Sequence, residues 1–141
     1  MEIKVLGSGE ESVLEKVAPN VFDYPVQPKL VAEFLNDHRH HLAVAINDGT
    51  VIGMASAIHY IHPDKQAELW INEVGVAPTY QNRGIGKQLL RSLFQKGRSL
   101  GCQNAWVLTE NENDRAKKLY TALEGIPRQQ VAFEFKLSEN K

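Results

Sequence analysis

The chain has 141 residues, 43% of them hydrophobic and 23% charged, and its 16 basic and 17 acidic side chains leave a net charge of −1. A chain of this length buries most of its apolar surface in one core, so a single domain over 1–141 is expected, and the balanced charge carries no signature of a nucleic-acid partner. Met1-Glu2-Ile3-Lys4-Val5-Leu6 lacks the long apolar segment of a signal peptide and no run is apolar enough to span a membrane, so the cytoplasm is the expected compartment, with no membrane partner.

Ile3 to Leu6 reads as a short strand. Ser8 with Glu11 behind it resembles a capping box and predicts a helix over Glu10 to Val17 that stops before Pro19. Pro28 in a first turn, followed by Leu30, Val31, Phe34 and Leu35, predicts a second helix ending near Asn36. Leu42 to Ile46 and Val51 to Ile61 are rich in strand formers and joined by Asn47-Asp48-Gly49, a hairpin signal. Pro63 and Asp64 reverse the chain into Glu68 to Val76, so three antiparallel strands precede a glycine loop.

Past that loop, Ile85, Leu89, Leu90, Leu93 and Phe94 recur at helical spacing while Lys87, Arg91, Gln95 and Arg98 take another face, which predicts a long helix from Lys87 to Leu100. A strand over Asn104 to Thr109, a helix over Asn113 to Leu123 and a last strand over Gln130 to Leu137 complete a mixed α/β order without repeats or linkers. The lone cysteine, Cys102, lies between a helix and a strand and is expected to pack rather than react. The five histidines include the cluster His38-Arg39-His40-His41, with His59 and His62 flanking the next hairpin. No Cys/His spacing fits a zinc site, so no metal is expected, and His59 and His62 read as half-exposed strand residues.

Gln81-Asn82-Arg83-Gly84-Ile85-Gly86 joins the strand ending at Val76 to the long helix and has the chemistry of a phosphate cradle. Its glycines permit a sharp turn, free amides at a helix start attract an anion, and Arg83 adds a fixed positive charge. A P-loop is excluded because one residue separates Gly84 from Gly86 and Gln88, not a hydroxyl residue, follows Lys87. A dinucleotide-binding turn would need a glycine where Leu89 stands. Turn chemistry alone leaves a tight strand-to-helix connection without a ligand as the alternative.

The run Gln-x-x-Gly-x-Gly after Glu73-Val74-Gly75-Val76-Ala77-Pro78, followed about 30 residues later by Asn113-Asp114-Arg115-Ala116-Lys117-Lys118-Leu119-Tyr120, resembles the GCN5-related N-acetyltransferase superfamily. The resemblance implies a central mixed, mostly antiparallel sheet with a splayed strand pair and flanking helices. It implies acetyl-CoA as co-substrate, held at Val74, Val76, Gln81, Asn82, Arg83, Gly84, Ile85, Gly86 and Lys87, with Asn113 near the pantetheine and Tyr120 near the thiol. A β-bulge in the strand before the loop and frequent homodimers are further family features. Within the superfamily, Glu68 to Val76, Leu119-Tyr120-Thr121 and Phe133-Glu134-Phe135 look most similar to the type I aminoglycoside 3-N-acetyltransferases.

Strict alternation in Glu68 to Val76 would set Glu73 on the apolar face of Leu69 and Ile71, so Glu73 either breaks that face or follows a bulge. Acylation of an amine needs a proton acceptor, since a free alkylammonium has a pKa of about 10, and the departing thiolate needs a donor. Glu73 is the candidate base or amine anchor and Tyr120 the candidate acid, with the Val74 amide as candidate donor to the developing oxyanion. The acceptor is expected to be a small-molecule amine, cationic in character, and Asp23, Glu110 and Glu134 are further carboxylates that could surround it. Acetylation of a protein amine, and a binding module that keeps the cradle without turnover, are the alternatives.

Overall fold

A computed structural model describes residues 1–139. Five strands form one sheet in the order β1 (Glu2–Leu6), β2 (His40–Asn47), β3 (Thr50–Tyr60), β4 (Glu68–Val76) and β5 (Ala105–Val107). The first four pair antiparallel, and β5 runs parallel to β4. Three helices accompany them: α1 (Pro28–Asn36), α2 (Ile85–Ser99) and α3 (Asp114–Ala122). Among the described residues, no helix is long and apolar enough to cross a membrane.

Residues His41 to Ala45 and Val51 to Ala57 are buried without interruption, the pattern of central strands covered on both faces. Helix α2 lies along the sheet with Leu89, Leu90 and Leu93 fully buried beneath it. Burial of each such leucine contributes roughly 1.5–3 kcal/mol, which is why its apolar stripe, rather than its propensity, holds the helix in place. Val31 and Leu35 anchor α1 near β2 in the same way.

The helix expected over Glu10 to Val17 is only a five-residue 3-10 turn, Glu11–Glu15. Its continuation is pulled away by β3: the Ala18 amide donates to the Val51 carbonyl at 2.9 Å and the Val51 amide donates to the Lys16 carbonyl at 2.9 Å. Ser8 does not cap it either, because its hydroxyl donates to Asn36 Oδ1 at 2.6 Å on α1. Glu10 instead accepts from the Gly7 amide and pairs with Lys4 on β1.

The last strand, expected over Gln130 to Leu137, is not in the sheet. Its alternating residues stand in solvent, because among the described residues the sheet stops at β5, and β5 itself has three residues where Asn104 to Thr109 were expected. His59 is also not the half-exposed residue its position predicts. It is buried against His41 on the neighbouring strand, with the two ring nitrogens 2.7 Å apart.

Candidate active site

The register of β4 departs from strict alternation at one residue. Ser56 pairs with Glu73 and Ala57 with Ile71, so Asn72 is an extra residue that bulges out of the ladder. Leu69 and Ile71 before it are buried, whereas Glu73 after it is exposed. The bulge answers the question posed by the sequence: Glu73 does not interrupt the apolar face, since it has been turned off it. Beyond Ile71 the parallel pairing with β5 also ends, at Ile71 with Val107, so the last residues of β4 face an opening between two splayed strands.

Into this opening comes the turn that starts α2. Asn82 and Gly84 both have left-handed backbones, with φ of 63° and 80°. Gly84 is the N-cap residue of α2, and no side chain caps the helix there. The first amides of α2, from Ile85 onward, are therefore left for an external acceptor at the positive end of the helix dipole. Beside Gly84 a Cβ would meet nothing within 4 Å, so the space at the turn is open rather than filled by the chain. A pyrophosphate fits such a site on both its geometry and its charge.

A cleft of about 860 Å³ joins these parts and is lined by β4 from Glu73 to Val76, by the turn and first residues of α2, and by one face of α3. Glu73, Val74, Val76, Gln81, Asn82, Gly84, Ile85, Gly86, Lys87, Asn113 and Tyr120 all line it, so the structure brings together all but one of the expected site residues. Arg83 is the exception. It is exposed and its guanidinium lies 5.2 Å over the Tyr80 ring, outside the cleft lining. Gln81 and Asn113 have structural duties as well: Gln81 Nε2 donates to the Val76 carbonyl at 3.0 Å, and Asn113 Oδ1 accepts from the Ala116 amide at 3.1 Å and so caps α3. Gly86 permits α3 to approach α2, since a Cβ there would lie 3.2 Å from Leu119.

Tyr120 is half-buried, and burial raises the pKa of its phenol, so it keeps its proton across the neutral range. Burial likewise raises the pKa of the half-buried Cys102 thiol, and Cys102 packs against the core away from the cleft, as a structural residue does. The cleft also contains residues that the motifs did not single out. Arg115 and Lys118 on α3 join Lys87 in giving the helix side a positive lining, and their three-residue spacing on the Asn113 to Tyr120 helix was the available signal. Asp23 enters with Asn20 and Val21 from the segment before α1, opposite in charge and on a different element. Glu110 and Glu134 are exposed and lie outside the lining.

Comparison with known proteins follows the same outline. The family model described as the acetyltransferase (GNAT) family matches residues 12–125. The chain is 30% identical over 99 residues to an aminoglycoside N(6′)-acetyltransferase type 1 of Salmonella typhimurium, covering 66% of this chain and 68% of that one. It is 32% identical over 91 residues to the N-alpha-acetyltransferase RimI of Mycobacterium tuberculosis, covering 64% of this chain and 54% of that one. Its fold superposes with a TM-score of 0.80, at 22% identity over 97% of this chain and 98% of the other, on the aminoglycoside acetyltransferase AAC(6′)-Iy in complex with the bisubstrate analogue CoA-S-monomethyl-acetylneamine. The aminoglycoside enzymes among these are named for the 6′-amine, which corrects the likeness to the type I 3-N enzymes. That likeness rested on Glu68 to Val76 and Leu119-Tyr120-Thr121, and on Phe133-Glu134-Phe135, which lies outside the sheet.

Proposed function

The chain belongs to the acetyltransferase (GNAT) family, and we propose that it moves an acetyl group from acetyl-CoA to a primary amine of a small, cationic acceptor of aminoglycoside or polyamine type. The observation that carries this reading is the bulge at Asn72, which sets Glu73 into the same cleft as Tyr120 and the uncapped start of α2. A binding module has no use for a carboxylate and a phenol at that place.

When bound, acetyl-CoA supplies an activated acetyl thioester. The first amides of α2, with Lys87, Arg115 and Lys118 beside them, hold its phosphates. The opening between β4 and β5 admits the pantetheine arm against Val74 and Val76, and Asn113 flanks it with the amide nitrogen that its capping bond leaves free.

Glu73 receives the acceptor ammonium. It takes one proton from it, directly or through water, and the freed nitrogen lone pair forms the new carbon–nitrogen bond while the carbon–sulfur bond breaks. The surplus proton on the acylated nitrogen leaves to restore the phenol that has protonated the sulfur. Tyr120 gives its hydroxyl proton to the leaving sulfur, a task suited to a phenol that burial keeps protonated. A β4 amide at Val74 meets the carbonyl oxygen as negative charge grows on it, an interaction worth several kcal/mol when the donor is held ready. Asp23 and Glu73, two carboxylates from separate elements, favour a cationic acceptor through field alone.

Release of free CoA thiol from acetyl-CoA, read against a panel of aminoglycosides, polyamines, simple monoamines and peptides with free α-amines, tests the reading. Turnover with polycations, with one acetyl added by mass, is the expected result. Turnover confined to peptides would move the acceptor class to protein amines, and tight acetyl-CoA binding with no turnover on any amine would leave a binding module.

A further inference from the structure

Three strands meet at one carboxylate. Tyr60 on β3 pairs with Glu68 on β4, and Trp70, two steps along the same face of β4, pairs with Trp106 on β5. The Tyr60 hydroxyl donates to Glu68 Oε2 at 3.2 Å, and the Trp106 indole Nε1 donates to the same oxygen at 3.0 Å. Glu68 Oε1 lies 3.6 Å from His62 Nε2, and the Glu68 and His62 side chains are only 18% and 16% exposed. A carboxylate drawn this far out of water, with donors from both neighbouring strands on one oxygen, is a junction rather than a solvated surface charge.

The junction stands at the closed end of the opening between β4 and β5. These strands share three register pairs, Leu69 with Ala105 to Ile71 with Val107, and part beyond them. One further backbone bond, from the Leu69 amide to the Asn104 carbonyl at 3.0 Å, precedes the pairs. The outer edge of β5 has no strand partner among the described residues, so the short ladder and the Trp106 bond set its direction. Arg128, in the chain returning from α3, lies 6.0 Å over the same indole. A ladder this short is a hinge. Val74 stands about five ladder steps, roughly 16 Å, along β4 from Glu68, so a turn of about 5° at the hinge changes the gap there by about 1.4 Å. A misplacement of about 1 Å in a reacting group can cost roughly 10²-fold in rate.

We infer that Glu68 is a positioning residue for the acetyl donor: by holding Tyr60 and Trp106 on one oxygen it fixes the angle at which β5 leaves β4, and with it the width of the passage for the pantetheine arm. This rests on the reading of that opening as the passage of the arm. Glu68 itself is outside the cleft lining, which on β4 begins at Glu73, so it acts through β5 and not by touching the ligand.

Calorimetry with two ligands separates this role from a general effect on the fold. One ligand is CoA, and the other is 3′-phosphoadenosine 5′-diphosphate, which is CoA without the arm. Glu68→Leu removes the acceptor of both bonds, and Trp106→Phe removes the indole N–H while keeping a ring. Glu68→Gln retains a carbonyl oxygen for both donors and can turn its amide nitrogen towards His62. Glu68→Leu and Trp106→Phe should bind CoA roughly tenfold more weakly, the scale of a lost hydrogen bond to a charged group, and bind the armless diphosphate as the parent does. Glu68→Gln should stay close to the parent on both ligands. Equal losses on the two ligands in Trp106→Phe, no loss on either, or a Glu68→Gln chain as weak for CoA as Glu68→Leu overturns the inference. Should Glu68→Leu not fold, Trp106→Phe decides. A parent that binds both ligands equally tightly would overturn the reading of the opening, and the inference with it.

Discussion

His41 Nε2 and His59 Nδ1 lie 2.7 Å apart on adjacent strands, one ring donating and the other accepting, with ring centroids 5.0 Å apart. Burial, and then the positive field of His59 itself with Lys96 and His40 behind it, lowers the His41 pKa from 6.5 to about 4, and the His59 pKa is lowered too. Both groups therefore bind protons more readily in the unfolded chain. The neutral pair stabilises the fold fully above the unfolded value of 6.5, and its contribution is lost as pH falls through the window from 6.5 to about 4. His41 alone accounts for about 3 kcal/mol across that window. Urea midpoints measured through it should fall with pH, and the fall should be shallower in a chain carrying His41→Leu with His59→Phe.

The bare α-carbon of Gly75 on β4 is covered by the Val21 carbonyl, so tightly that a Cβ could not be accommodated without moving backbone. The close approach that a glycine permits at this point is thus made by the chain itself. Gly75→Ala should cost about 1–3 kcal/mol or more, the range for overpacking, as read from denaturant midpoints. Because Val21 and Asp23 wall the cleft, the same substitution should raise the acceptor KM.

Tyr120→Phe keeps the ring among its neighbours and removes only the hydroxyl. If that hydroxyl protonates the leaving sulfur, kcat should drop roughly 10²- to 10⁴-fold with acetyl-CoA affinity nearly unchanged. Full activity in the variant would assign Tyr120 to packing alone.

Glu73→Gln separates a base from an anchor. A base leaves an acidic limb in the pH dependence of kcat that the variant lacks. An anchor instead shows as a higher acceptor KM, larger for a polycation than for a monoamine and less sensitive to salt than in the parent. Equal activity on every acceptor would remove both roles.

Calorimetry should rank the cations. Lys118→Ala and Arg115→Ala remove charges that line the cleft and should weaken CoA binding by about 1 kcal/mol or more, with a smaller loss at high salt. Arg83→Ala, whose guanidinium rests on Tyr80, should cost less than either. A larger loss from Arg83 would mean that it swings off Tyr80 to meet the ligand.

The strands from Leu42 to Val76, the glycine turn and the helices on either side of β5 are legible in the sequence because each carries a local signal: a period, a turn dipeptide, a cap. Asn113 is an example, read as a motif residue and found also capping α3. What could not be read depends on contacts between distant segments. The early helix is shortened by backbone bonds to Val51, His59 is buried by a partner 18 residues away, and Asp23 lines the cleft from the segment in which the Val21 carbonyl covers Gly75. Arg83 looked like a phosphate ligand by sequence position, yet its direction is set by the Tyr80 ring, which no motif reports.

The extra residue at Asn72 makes the parity of β4 a functional quantity. Leu69 packs under α2 against Gly97, and two steps along the same face is Ile71. With an even count after Ile71, the Glu73 carboxylate would point under the helix, where burying an unpaired charge costs several kcal/mol. With Asn72 looped out, the count is shifted by one and the carboxylate meets the cleft. Deleting Asn72 would close the ladder and keep Glu73 on its present side, whereas drawing Asn72 back into the ladder would exchange the inward and outward sides of the strand from Glu73 onward, at the point where the chain turns into the phosphate cradle. The face that this stretch presents depends on whether its extra residue loops out, so a relative of the same length that runs in regular register here could keep every motif and still present a different face to its acceptor.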